Sequence, residues 1–174
     1  MPENVLTDPI TALAAMFRDC RPFADWLGIA WDSSTTAARV YIDGIGPAPD
    51  VATMGQDELG EVRPFVILYP DQRGYRFRRD AAPNCWKGNG QILAVLSRSY
   101  DTNKSITDHW LEAADKVGQI ISNADPTKPG LLEMAATAGY LAFEELEVSF
   151  VGRTPPESVN DYGDAYDVLF VFQY

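Results

Sequence analysis

The chain has 174 residues, of which 46% are hydrophobic and 22% are charged, with a formal net charge of −11 and a pI of about 4.4. This length is typical of one domain with a core that needs neither a metal nor a disulfide. The acidity argues against binding along nucleic-acid phosphates or an anionic membrane, because both require clustered Lys and Arg.

The N-terminus and the cysteine content indicate a soluble protein. The first residues lack the basic start and apolar segment of a signal peptide, and no apolar run approaches the ~20 residues of a membrane span. The two cysteines, Cys20 and Cys85, are fewer than a secreted disulfide scaffold uses. A disulfide between them would require an oxidising compartment. We therefore expect a protein made in a cytoplasm, with no membrane partner.

The N-terminal region predicts a short helix. A capping residue and a proline at Thr7–Pro9 open it. Its apolar residues then fall on one face: Ile10, Leu13, Ala14 and Phe17. Pro22 ends this pattern, and Gly28 is suited to close a helical turn over 23–27. Next we predict a loop over 32–37, a short strand over 39–42 and a long loop over 44–60.

The middle of the chain predicts a β-hairpin and a further strand. We predict a first strand over 63–69, a turn over 70–74 and a second strand over 75–79 that pairs back on the first. A loop over 84–89 and a third strand over 91–98 follow. Alternation places Arg76 and Arg78 on one face of the second strand. The glycine-rich turn at 87–90 lacks the spacing of a phosphate-binding loop.

The clearest helix runs over 105–121. Ser105 and Asp108 resemble a capping box. The helix carries an apolar stripe, formed by Ile106, Trp110, Ala113, Val117 and Ile120. After it we predict a short helix over 131–138 and a strand over 145–151. A loop over 152–163 and a last strand over 167–174 follow.

These elements predict an α+β fold. We expect a mostly antiparallel β-sheet with one long amphipathic helix and a short N-terminal helix packed on it. No composition shift marks a boundary, so we expect a single domain over 1–174. Its long loops lie near 44–60 and 152–163.

No catalytic centre, cofactor site or metal site is predicted. We interpret His109, the only histidine, as a surface residue of its helix rather than a general base. Cys20 and Cys85 are interpreted as small, part-buried hydrophobic residues rather than nucleophiles. The cysteine and histidine spacing does not match a zinc site, and the acidic residues near the C-terminus lack the order of a calcium loop. We therefore expect a protein that is not an enzyme.

Positive charge is concentrated in one short segment of this acidic chain. The segment contains Arg73, Arg76, Arg78 and Arg79. This favours an interface with an acidic surface, such as another copy of the chain. The competing interpretation is a solubilising strand edge, because charges also protect exposed edges. Glu145 and Glu147 share one face of their predicted strand, either solvated or directed at a neighbouring subunit. These six residues are the candidate interface residues.

Three stretches resemble phage tail terminator proteins, also described as tail completion or head–tail joining proteins of long-tailed phages. The first is 63–69, the second is 90–96 with the helix around Trp110, and the third is 148–154 with the ending 166–174. The likeness covers most of 63–174 as an order of elements. It rests on no diagnostic motif.

The resemblance implies a virion structural protein that forms a homo-hexameric ring. Such a ring caps the head-proximal end of the tail tube, stops tube polymerisation and joins the tail to the head connector or stopper protein. The implied partners are further copies, the tail tube protein and the connector, while DNA passes through the channel without specific binding. The implied location is the virion tail or neck, after assembly in the host cytoplasm. The alternatives are another neck or adaptor protein, a small cytoplasmic enzyme, or a ligand-binding module.

Overall fold

A computed structural model of the chain describes residues 8–43, 62–70, 76–79, 86–99, 103–136, 145–152 and 163–173. Within these ranges the fold is α+β, as predicted from the sequence. The helices are α1 (Asp8–Asp19), α2 (Arg21–Leu27), α3 (Ser33–Ala37), α4 (Ile106–Ile121) and α5 (Leu131–Ala135). The strands are β1 (Val40–Ile42), β2 (Phe65–Pro70), β3 (Arg76–Arg79), β4 (Trp86–Ser99), β5 (Glu145–Gly152) and β6 (Gly163–Gln173). The loop predicted at 44–60 lies outside the described residues, as does 153–162 of the second predicted loop.

The described strands form one sheet in the order β1-β2-β4-β6-β5, with β3 also paired to β4. β1 runs parallel to β2, and the other ladders are antiparallel. Asn89 of β4 pairs with both β3 and β6, so these two strands lie on opposite edges of β4. β3 therefore shares an edge of β4 with β2. Both run in the same direction, as two parts of one interrupted strand.

The predicted hairpin between 63–69 and 75–79 is wrong in its pairing partner. β3 pairs with Trp86–Asn89, so β4 begins within the segment predicted as a loop. The length of β4 explains this difference. Its first residues extend beyond β2 and offer backbone N–H and C=O groups that need partners. Pairing of β3 back onto β2 would instead require an edge of β2 that β1 or β4 already occupies.

Helices α1, α2, α4 and α5 share one hydrophobic core with one face of the sheet. In β4 this face carries Ile92, Ala94 and Leu96, at every second position. The helices supply most of the remaining large core side chains. Phe23 links two of its aromatic neighbours, with its ring edge-on to Phe17 at 5.3 Å and stacked on Trp26 at 5.9 Å between centroids.

The N-terminal region contains three helices rather than one helix and a helical turn. α1 contacts β1 and β2, whereas α2 contacts α4. Cys20 separates α1 from α2 with an extended backbone, and Pro22 occupies the first turn of α2, where a missing N–H costs nothing. Gly28 ends α2 in the left-handed conformation with a φ of 73°, as the sequence predicted.

The loop predicted over 32–37 is also wrong, because α3 forms there. Asp32 caps this helix: its carboxylate accepts a hydrogen bond from the Ser34 N–H at 3.1 Å. The hydroxyl of Thr36 donates to the Asp32 carbonyl at 2.8 Å and is buried. The polar residues that suggest a loop therefore support a helix here, with Asp32 as the cap and Thr36 as a back-bonding residue.

Helix α4 begins as the sequence predicted, but its histidine does not lie on the surface. The Asp108 N–H donates to the Ser105 hydroxyl at 3.1 Å, which caps the helix. His109 is only 2% exposed, so the surface assignment is wrong. The reason is its position four residues before Ala113 and eight before Val117, on the buried face of the helix.

Glu133 joins the end of α4 to the start of α5. Its carboxylate accepts hydrogen bonds from the Ser122 hydroxyl, from the Asn123 N–H at 3.1 Å and from the Gly130 N–H at 3.0 Å. Burial opposes ionisation of Glu133. The hydrogen bonds outweigh it, so the net effect lowers the pKa of this carboxyl below its usual value.

We expect Glu133→Gln to lower the free energy of unfolding at pH 7 by about 1–2 kcal/mol, because charge-assisted hydrogen bonds are lost. The folded pKa is depressed, so the stabilisation is complete above the unfolded pKa, near 4.5, and is lost as the pH falls through the folded value. In urea titrations at pH 7 and pH 3, the difference between wild type and variant should therefore shrink with acidification. Asp115→Asn, on the exposed face of α4, is the control. A Glu133→Gln effect that stays constant with pH would contradict this role.

Candidate subunit interface

The sheet has a second face, which lies opposite the helix-bearing core. On β4 this face carries the odd-numbered positions, where Leu93 and Val95 are partly buried and do not belong to the core cluster. Leu93 pairs with Tyr69 of β2, and Val95 pairs with Ile67. The register of the sheet therefore allows positions on the other strands to be assigned to one face or the other.

Two of the candidate interface residues lie in one row of paired residues that crosses the sheet on this second face. Arg76 pairs with Asn89, Asn89 pairs with Gln173, and Gln173 pairs with Glu145. The row thus crosses β3, β4, β6 and β5. With strands spaced by about 4.8 Å, the backbones of Arg76 and Glu145 lie roughly 14 Å apart. The row has a positive residue at one end and a negative residue at the other.

The positive end of the second face contains a residue that the sequence analysis missed. Arg78 pairs with Lys87, which lies two positions before Asn89 on β4, so both positions belong to the same face as Asn89. Lys87 was assigned to a loop, although the alternation of polar residues at Lys87, Asn89 and Gln91 was a signal of a strand. Arg79 pairs with Trp86, so its position belongs to the other face. Arg73 lies outside the described residues.

The negative end of the second face lies on β5. Glu147 pairs with Val171, two positions along β6 from the partner of Glu145. Leu146 and Val148, which alternate with the glutamates, pair with positions of β6 that lie on the same face as the core residue Val168. The register therefore agrees with the predicted alternation of this strand, and it assigns both glutamates to the second face.

The oppositely charged strands lie on opposite edges of the sheet. Within the described ranges, β3 pairs only with β4 and β5 pairs only with β6. β3 contains three arginines in four residues, and β5 contains two glutamates and no basic residue. An edge strand presents unpaired backbone groups that a neighbouring chain can pair with. The arrangement thus offers two edges of complementary charge in one chain.

The groups considered for chemistry elsewhere are buried or outside the described residues. Cys20 is a buried free thiol, and burial raises its pKa to about 12, which opposes formation of a nucleophilic thiolate at neutral pH. Cys85 lies outside the described residues. The described part of the chain contains no group of three or more His, Cys, Asp or Glu residues placed to hold a metal ion. Of the helices in that part, none has the length and apolar character needed to span a bilayer.

Comparison with known proteins does not assign the chain to a family. No protein-family model matches the sequence, and no curated protein matches it significantly.

Proposed function

We propose that this chain is a structural virion protein of the tail terminator type. Copies form a ring on the head-proximal end of the phage tail tube, terminate tube polymerisation and join the tail to the head connector. Further copies of the chain, the tail tube protein and the head connector or stopper protein are the expected partners, and the virion tail or neck is the expected location. No step of this function requires a cofactor or a catalytic residue.

The observation that carries this proposal is the opposite charge of the two sheet edges. A ring requires heterologous contacts, in which one surface of a subunit binds a different surface of the next. β3 and β5 are two such surfaces, since they lie on opposite edges and differ in the sign of their charge. A two-fold dimer would instead require a self-complementary patch.

The overall charge is consistent with a channel for DNA. The chain carries a formal net charge of −11 despite its arginine-rich strand. If β3 is used in contacts between subunits, the rest of the ring is still more acidic. An acidic channel wall repels the phosphate backbone and therefore does not hold passing DNA.

Inactivation of the gene in the phage that encodes the chain tests this function. We expect electron micrographs of the lysates to show DNA-filled heads separate from tails, and tails of irregular length. Supply of the chain from a plasmid should restore joined virions with tails of uniform length. Intact virions with uniform tails in the absence of the chain would contradict the proposal.

A further inference from the structure

We infer that β3 of one copy pairs with β5 of the next copy, so that the β-sheet continues from subunit to subunit. The inference rests on the proposed ring and names its interface. It commits to a second copy of this chain as the occupant of both edges. The charge of the edges identifies that occupant, because each edge carries the sign that the other edge lacks.

The charges also disfavour the symmetric pairings of the same edges. Pairing of β3 with β3 would bring arginines against arginines, and pairing of β5 with β5 would bring together two strands of the same negative charge. Like charges placed directly opposite each other destabilise a ladder. Only the β3–β5 combination is attractive, and this combination is heterologous and can repeat around a ring.

Strand direction determines the type of ladder. Each step from β3 through β4 and β6 to β5 is antiparallel, so β3 and β5 of one subunit run in opposite directions. If the next copy continues the sheet in the same orientation, its β3 therefore runs antiparallel to the β5 that it meets. The backbone N–H and C=O groups on the outer edge of β3, which has four residues, then find partners on part of the eight-residue β5.

One register satisfies both charge pairs at once. In an antiparallel ladder that places Glu147 opposite Arg76 of the next copy, Glu145 falls opposite Arg78. This register differs by two residues from the row that links Arg76 to Glu145 within one subunit. A shift by two residues keeps every position on its original face. All four charged positions therefore lie on the second face of the continuous sheet.

Charge reversal in the purified full-length chain tests this interface. We expect Arg76→Glu with Arg78→Glu to raise the concentration of half-assembly by about 100-fold, because two attractive pairs become repulsive. Glu145→Arg with Glu147→Arg should have a similar effect. The variant that carries all four substitutions restores opposite signs on the two edges and should assemble like wild type. Sedimentation velocity over a concentration series measures the assembly, and circular dichroism and thermal melting verify the fold.

Lys116→Glu with Lys128→Glu is the matched control. It changes the net charge as much as reversal of Arg76 and Arg78, but on the helix layer and its adjoining loop, where we expect assembly to remain unchanged. Wild-type rings that persist in both reversed variants would overturn the interface and leave the proposed function standing. A folded wild-type chain that stays monomeric at all concentrations would also overturn it, because matched edges should self-associate. If heads and tails stay joined after gene inactivation, that result would instead contradict the proposed function, whatever oligomeric state the purified chain has.

Discussion

Phe17→Ala is expected to lower the free energy of unfolding by about 3–5 kcal/mol, the usual loss for removing a buried phenylalanine ring. Phe17 is fully buried on α1, and its ring meets the ring of Phe23 edge-on. The substitution removes this aromatic contact and leaves a cavity between α1 and α2. Urea titration at pH 7 measures the loss.

Leu111→Ala is the control for this prediction. Leu111 lies on α4 and is 54% exposed, so its truncation removes little buried surface. Surface substitutions of this kind change stability by about 0.5 kcal/mol or less. Equal losses for Phe17→Ala and Leu111→Ala would contradict the core described for the helix layer.

Gly130→Ala is expected to lower the free energy of unfolding by about 1–3 kcal/mol, because the site has no room for a methyl group. A Cβ atom at Gly130 would lie 2.8 Å from the Ser122 Cα and from Glu133 Oε2. The backbone of Gly130, with φ −78° and ψ 179°, is one that any residue adopts. The glycine is therefore required by the close approach of α4 to α5 and not by its backbone conformation. Relief of the clash would displace Glu133 from its hydrogen bonds.

Gly118→Ala should have the opposite sign. Gly118 lies in the interior of α4 on its exposed face, and a Cβ atom there would meet nothing within 4 Å. Alanine costs less conformational entropy than glycine in a helix, so we expect stabilisation by about 0.5–1 kcal/mol. Thermal melting of both variants under the same conditions checks the two signs. Stabilisation by Gly130→Ala would contradict the close approach of the helices.

Local signals in the sequence predicted the elements that depend on local contacts. The cap of α4 at Ser105 and the end of α2 at Gly28 follow from side-chain and backbone preferences of nearby residues. α3 was missed because Ser and Thr favour both loops and helix starts, and the capping hydrogen bond of Asp32 decides between them. His109 was misplaced because a polar residue was excluded from an apolar stripe, although its spacing matches that of Ala113 and Val117.

The candidate interface depended on contacts that are distant in sequence. The sequence identified the arginines of β3 and the glutamates of β5 as unusual, because both are visible as local composition. It did not reveal that these strands lie on opposite edges, since that follows from the order of β4, β6 and β5 in the sheet. Lys87 was missed for a different reason: its glycine-rich segment was assigned to a loop, although polar residues alternate at Lys87, Asn89 and Gln91 as in a strand.

The mass distribution of a mixture tests the account most directly. One variant carries Arg76→Glu with Arg78→Glu, so both of its edges are negative, and the other carries Glu145→Arg with Glu147→Arg, so both of its edges are positive. We expect wild type to form closed rings, and we expect each variant alone to remain unassembled at the same concentrations. An equimolar mixture should form rings in which the two variants alternate, with a central hole visible by negative-stain electron microscopy. A mixture that stays as unassembled as its two components, while both remain folded, would contradict head-to-tail assembly through β3 and β5.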